Sequence, residues 1–304
     1  VRSGDRVFFA FSFGPFVGFW SGWDGARKVG ALAISGGGQS TLQRLQAMVD
    51  YRATVVVGTP TYALHMAAEA AKEGIDLAGG LEVRKIVVAG EPGANIPSTK
   101  KKIEEAWGAK CYDHTGATEV GAWGFECEPQ PGGVHINENE FITEVVNKET
   151  GETVAEGERG ELIITNLGRL GSPVIRYRTG DLVQPSYRPC VCGRPYVFLE
   201  GGVLGRVDDM VVVRGINVYP SAVEGILRGI AEIEEFRVDV LETEGLSEMK
   251  LTLEPKAGLG STADLERKAV DGMKNGLGLR PSVVIVPPNT LPRFELKARR
   301  FFKG

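Results

Sequence analysis

The chain has 304 residues, 42% of them hydrophobic and 24% charged, a globular composition with room for two domains and a sizeable core. Its 35 Lys and Arg against 39 Asp and Glu give a net charge of -4, so no basic excess argues for a nucleic-acid partner, and small-molecule partners are the default. No apolar stretch reaches the roughly 20 residues of a membrane-spanning helix, and no export signal opens the sequence, so no membrane partner and a cytoplasmic location are expected.

In chain order, the most apolar stretch, VFFAFSFGPFVGFW (7–20), is broken by Ser, Gly and Pro and reads as core or pocket wall. The loop SGGGQST (35–41) lacks the Lys that follows the glycines of a phosphate loop, so it too reads as pocket wall. TVVVG (54–58), YALHMAAEAAKEG (62–74), VRKIVVAG (83–90) and STKKKIEEAWG (98–108) alternate strand and helix, predicting an α/β layer with strands buried on both faces. Gly90, Glu91 and Pro92 directly follow the second of those strands, where a parallel sheet presents its ligand-binding edge. CYDHTGATEVG (111–121) turns with two hydroxyls and a carboxylate at hand. That suits a phosphate if a cation sits beside Glu119, and otherwise makes an ordinary polar turn. From about residue 133 shorter strands such as GELIITN (160–166) predict an antiparallel, β-rich subdomain, and Asp181, just after Gly180, is placed to accept from a ribose diol. Beyond a boundary near GRVDDM (205–210) the segments read β, α, β, β, α, β, a small α+β domain.

Four cysteines in a chain of this length predict thiols or a metal in a reducing compartment and no disulfide scaffold. Cys127, His135, Cys190 and Cys192 amount to a full tetrahedral shell for a structural Zn²⁺, with buried reduced thiols as the alternative. Cys111 reads as core, His114 as pocket lining and His65 as a packing residue on its helix.

Taken in order, VAGEPG (88–93), YDHTGATE (112–119), RYRTGD (176–181), GRVDDMVVVRGINVYP (205–220) and LPRFELKARR (291–300) resemble the adenylate-forming enzymes, nearest to the phenylacetate-CoA ligases. The resemblance implies a truncated AMP-binding domain over residues 1–207 and a mobile lid over 208–304. It implies an acid-thiol ligase that converts an aryl or arylacetic acid, ATP and CoA to an acyl-adenylate and then an acyl-CoA. By carry-over, Gly90, Glu91, Pro92, Asp113, Gly116 and Asp181 would hold the nucleotide with Arg206. Thr118 would bond the α-phosphate, and Glu119 would hold Mg²⁺. Asp208 would be the hinge, Gly215 would line the CoA tunnel, and Lys297 would bridge carboxylate and phosphate. A homodimer is a further expectation. Three departures stand out: Thr115 replaces an aromatic, Leu296 replaces a Gly, and the family's Ser/Thr/Gly-rich phosphate loop falls upstream of residue 1. Beside an adenylating enzyme that does not use CoA, a rival within the same fold, the last departure favours a second rival reading, an inactive fragment that binds AMP or an acyl-adenylate. It also predicts little adenylate formation by residues 1–304.

Overall fold

A computed structural model describes residues 1–14, 17–243, 246–258, 261–294 and 298–303. The chain divides into two compact units, Val1–Leu204 and Gly205–Phe294 with the residues from Ala298 on. No helix among the described residues is long and apolar enough to cross a membrane.

The first unit is built on strands β1 (Arg6–Phe9), β2 (Leu32–Ser35), β3 (Val55–Gly58), β4 (Lys85–Val88) and β5 (Lys110–Ala117), followed by β6 (Gly121–Phe125), β7 (Gly133–Ile136), β8 (Phe141–Val146), β9 (Gly160–Asn166), β10 (Tyr177–Val183), β11 (Pro185–Ser186) and β12 (Phe198–Glu200). Its helices are α1 (Val17–Lys28), α2 (Thr41–Asp50), α3 (Pro60–Lys72), α4 (Leu77–Gly80) and α5 (Pro97–Trp107). The main sheet runs β11-β12-β7-β6-β5-β4-β3-β1-β2, parallel from β2 to β5 and antiparallel from β5 onward. Antiparallel pairing therefore starts at residue 114, earlier than the sequence pattern suggests, and continues the parallel sheet without a break. Only β8, β9 and β10 form a separate antiparallel sheet in this unit.

Alternation along the parallel strands feeds two cores, as expected for strands covered on both faces. Phe8, Val56, Ile86 and Cys111 pack with α2, α3 and α5, while Val7, Phe9 and Val55 pack with α1 on the other side. The aromatic stretch 7–20 thus begins in strand β1 and ends in helix α1. Gly18, Gly22 and Gly25 lower the intrinsic helix propensity of α1. The same absence of side chains lets α1 lie close: a Cβ on Gly22 would stand 3.4 Å from the Phe9 ring. The order β3-β1-β2 reverses the chain's direction of travel at β1, and such a switch point opens a crevice at the carboxyl ends of its strands.

The second unit holds β13 (Gly205–Arg206), the hairpin β14 (Val211–Val213) and β15 (Ile216–Val218), α6 (Pro220–Gly229), β16 (Ile233–Thr243), β17 (Leu246–Pro255), α7 (Thr262–Leu277), β18 (Ser282–Ile285) and β19 (Phe301–Lys303). Its sheet runs β18-β17-β16-β19, and α6 and α7 close its core over Leu251, Val238, Leu227 and Met273. Two buried carboxylates tie down its C-terminal segments. Glu254 accepts from the backbone of Asn289 and Leu291 at 2.9 and 2.8 Å and pairs with Arg293, while Glu235 binds Arg228 and Arg300. Burial opposes ionisation of Glu235, but the Arg300 hydrogen bond and both guanidinium charges outweigh it and hold the carboxyl below its usual range.

Candidate nucleotide site and metal centre

Of the candidate nucleotide residues of the first unit, Gly90 to Pro92 and those from Asp113 to Glu119 lie at the C-terminal ends of β4 and β5, whereas Asp181 lies on β10 in the separate antiparallel sheet. Val88 is paired with Asp113, so the loop carrying Gly90, Glu91 and Pro92 and the stretch from His114 to Gly116 leave adjoining strands side by side. Gly90 adopts φ +95°, a conformation open to glycine. The Glu91 carboxylate accepts from the Thr61 backbone N–H at 2.9 Å, in the first turn of α3, so this acid has a structural partner that the sequence did not suggest. Asn95 fastens the same loop: its side chain accepts from Gly93 N at 2.8 Å and donates to Val203 O at 2.6 Å.

The turn between β5 and β6 is shaped by glycine on both sides. A Cβ at Gly116 would lie 2.9 Å from the Gly121 carbonyl, and Gly121 itself has φ +104°. Val120 N–H closes the turn on Ala117 O at 3.2 Å, and the Val120 side chain is fully buried. Thr118 and Glu119 are left exposed at its tip, a hydroxyl and a carboxylate adjacent to each other. That donor set fits a phosphate with an oxygen-seeking divalent cation.

Behind the turn, half-buried Asp113 and buried Glu126 form an acid pair that sequence reasoning reached only in half. Glu126 accepts Asp113 N–H at 2.8 Å and Gly132 N–H at 3.1 Å and is paired with Lys100. Burial, reinforced by the Glu126 charge and offset in part by Lys100, raises Asp113 to about 7. Burial lowers His114, so its ring is neutral at pH 7. Thr115 faces Gly124 across the strand pair, and its Oγ1 is buried without a hydrogen-bond partner among the described residues. The absent side chain of Gly124 makes room for it: a Cβ there would lie 2.0 Å from that oxygen.

Asp181 follows Gly180 (φ +75°) at a register shift in β10, a β-bulge that turns it out of the ladder. Thr179 Oγ1 holds the bulge by accepting Asp181 N–H at 3.0 Å and donating to Leu162 O at 2.9 Å. At the switch point, Phe9, Phe11, Phe13, Phe19 and Trp23 form an aromatic group, with Phe11 and Phe19 stacked at 3.9 Å and Phe9 5.5 Å from Trp23. Their helix α1 packs beside β6, the strand that leaves the Thr118–Glu119 turn. In the glycine loop 36–38, the buried Arg44 donates to Gly36 O at 2.9 Å and to Tyr62 Oη at 2.5 Å. Tyr62 also meets Thr41 Oγ1 at 3.1 Å, and His65 lies in the same cluster as a packing residue.

Cys127, His135, Cys190 and Cys192 converge, their four ligand atoms all lying within 4.8 Å of one another. Cys127 Sγ and Cys190 Sγ are 3.6 Å apart, and Cys192 Sγ is 3.5 Å from His135 Nε2. These are the edge lengths of a tetrahedron with metal bonds of about 2.0–2.3 Å. Cys192 N–H points to Cys190 Sγ at 3.4 Å, and Gly193 (φ +77°) closes the C-x-C loop. His135 sits between the rings of Phe125 and Phe198, and burial lowers its pKa, leaving a neutral imidazole. Cys111 is separate and buried, its thiol raised to about 12 by burial, as a core residue requires.

In the second unit, Arg206 and Asp208 pair with each other at 3.0 Å near its start. Arg214 and Gly215 have φ +50° and +79° and connect Val213 to Ile216 as a two-residue hairpin loop. Such loops demand positive φ at both positions, a reason for Gly215 independent of any ligand. Lys297 and Leu296 lie outside the described residues.

Residues 215–303 match the AMP-binding enzyme C-terminal domain family. The phenylacetate-coenzyme A ligase of Thermus thermophilus is 32% identical over 97% of this chain and 70% of its own length. A crystal structure of 2-hydroxyisobutyryl-CoA ligase in the postadenylation state with 2-HIB-AMP shares 31% identity at a TM-score of 0.94, over 100% of this chain and 66% of that one. The same ligase with 2-HIB-AMP and CoA in the thioesterification state gives a TM-score of 0.67 at 31% identity, over 100% and 65%. The chain thus spans about two thirds of the length of the proteins it matches.

Proposed function

The chain belongs to the phenylacetate-coenzyme A ligase family of adenylate-forming enzymes, and from that premise we propose that it serves ATP-dependent activation of a carboxylic acid to an acyl-adenylate and then to a CoA thioester. The observation that carries the proposal is the exposed Thr118–Glu119 turn beside the Gly90–Pro92 loop, at the carboxyl ends of parallel strands.

In this reading Thr118 would donate its hydroxyl to the α-phosphate and the Glu119 carboxylate would hold Mg²⁺, whose charge would offset that on the adenylyl group being transferred. The Gly90–Pro92 loop flanks the adenine, Asp113 and Gly116 border it on β5, and Asp181 accepts from the ribose hydroxyls, with Arg206 assisting on the nucleotide. Lys297 supplies the compact cation for the first half-reaction, Asp208 is the hinge, and Gly215 lines the path of the CoA thiol. In the same reading residues 1–207 serve as the nucleotide-binding domain and residues 208–304 as the lid. An aryl or arylacetic acid is the favoured substrate because Phe11, Phe13, Phe19 and Trp23 offer flat apolar walls. Thr115, small where relatives of the family carry an aromatic, alters the floor of that pocket.

Zn²⁺ at Cys127, His135, Cys190 and Cys192 belongs to the same proposal as a structural brace, since three sulfurs and one imidazole at tetrahedral spacing suit that ion and leave no open position for chemistry.

The test is binding of 5′-O-sulfamoyladenosine conjugates, stable mimics of acyl-adenylates, by calorimetry. The phenylacetyl conjugate should bind and lose at least tenfold in affinity with Asp181→Ala. Equal affinity of the two proteins would remove the ribose assignment, and no binding at all would remove the adenylate site.

A further inference from the structure

Two main-chain carbonyls of the Thr118–Glu119 turn are held from outside, by residues of the β9–β10 loop. The Asn166 side chain donates to Val120 O at 3.0 Å, and the Arg169 guanidinium donates to Glu119 O. The two holders are themselves coupled. Asn166 Oδ1 accepts the backbone N–H groups of Gly168 and Arg169, both at 2.9 Å, so one amide shapes the loop and clamps the turn at once. Leu167 N–H, bonded to Glu140 O at 2.9 Å, fixes the loop to the turn that leads into β8.

From this we infer that Asn166 and Arg169 are positioning residues for the turn, aiming the Glu119 carboxylate and Thr118 hydroxyl at the metal-bound phosphate. The inference rests on the reading of Glu119 as the Mg²⁺ holder. The physical case is direct. Thr118 and Glu119 are exposed and project from a turn that, beyond the Ala117–Gly121 strand pair, is closed by a backbone hydrogen bond of 3.2 Å. A cation site tolerates little error in oxygen placement, Mg²⁺ least of all, because it demands near-octahedral geometry at about 2.1 Å. Val120, buried beneath the turn, fixes depth but not rotation about the strand axis. Bonds to two successive carbonyls fix rotation. Arg169 suits the task because a planar guanidinium can keep one N–H on the carbonyl while its charge stays near the phosphate end of the turn.

The experiment measures the Mg²⁺ enhancement of α,β-methylene-ATP binding, the ratio of dissociation constants in EDTA and in saturating Mg²⁺. The inference expects Arg169→Ala to cut that ratio about tenfold, Asn166→Ala to cut it in the same direction, and Arg169→Lys to restore part of it. Melting temperature should change little for Arg169→Ala, whose side chain is partly exposed. Glu119→Gln should abolish the enhancement, and Arg169→Ala added to it should do nothing more, since residues acting through one group are not additive. An unchanged ratio in Arg169→Ala, with enhancement intact in the unaltered chain, overturns the inference and spares the Glu119 reading. Absence of enhancement in the unaltered chain overturns that reading, and the inference falls with it.

Discussion

The Glu126 carboxylate receives the backbone N–H of Asp113 at 2.8 Å, and the two acids share one buried environment in which Lys100 is the cation. Burial, with the Glu126 charge added and Lys100 only partly offsetting it, leaves Asp113 holding its proton until about pH 7, where an unfolded Asp would lose it near 3.9. The folded pKa is raised, so the folded state binds the extra proton between those values. The related stability is fully present below about pH 4 and is lost as pH rises towards 7. Asp113→Asn should therefore flatten the fall in melting temperature of the first unit between pH 4.5 and 8 and should raise its stability at pH 8. Scanning calorimetry across that range checks it; parallel pH profiles for the two proteins would show that Asp113 ionises freely.

Zinc should be found at about one per chain by elemental analysis of untagged protein. Removing it should lower the melting temperature of the first unit, because its ligands join the end of β6, the centre of β7 and the turn before β12. Cys190→Ser should reproduce the loss. Metal-free protein with a melting temperature indifferent to chelator would leave four packed side chains and no centre.

In the whole protein, Lys297→Ala should reduce pyrophosphate exchange by about 10²- to 10³-fold while sparing thioester formation from supplied acyl-adenylate. Gly215→Leu should have the opposite pattern. Since Gly215 occupies a positive-φ hairpin position, that variant carries a backbone cost of about 1–3 kcal/mol. The melting temperature of the second unit must therefore be recorded beside the rates. Equal loss of both half-reactions in each variant would exclude an alternating lid.

Glu235→Ala would take the nearer carboxylate from two buried guanidinium groups, Arg228 and Arg300, leaving them the longer ion pairs with Glu224 at 3.7 and 3.5 Å, and should destabilise the second unit by about 3 kcal/mol. Chemical denaturation reports it. A loss under 1 kcal/mol would mean that the existing Glu224 pairs suffice to hold both arginines.

What was legible in the sequence is what side-chain pattern alone encodes. The valine runs before Gly58 and Ala89 are strands, the alanine-rich segment after Pro60 is a helix, and GELIITN is β9 residue for residue. The ligand types of the sulfur cluster were legible too, although only folding brings Cys127 within 3.6 Å of Cys190. Helix α1 was not legible, because its glycines argue against a helix until β1 is there to pack on. Nor was the hairpin at Arg214–Gly215, where a single strand was expected, since its loop spans only two residues. Asn166 and Arg169 escaped notice because their partners are main-chain carbonyls, and a backbone acceptor leaves no mark on residue identity.

Strand β2 ends its side of the main sheet, and its outer edge is paired with no strand among the described residues. Leu32 on that strand is 57% exposed, with Val29 and Leu42 exposed on either side of it in sequence. Natural sheets blunt such edges with charge, proline or a bulge, and Leu32–Ser35 carries none of these. The practical outcome is colloidal: residues 1–304 handled in isolation should self-associate as concentration rises, and a Lys at position 32 should keep them dispersed without touching the chemistry at the opposite end of the strands.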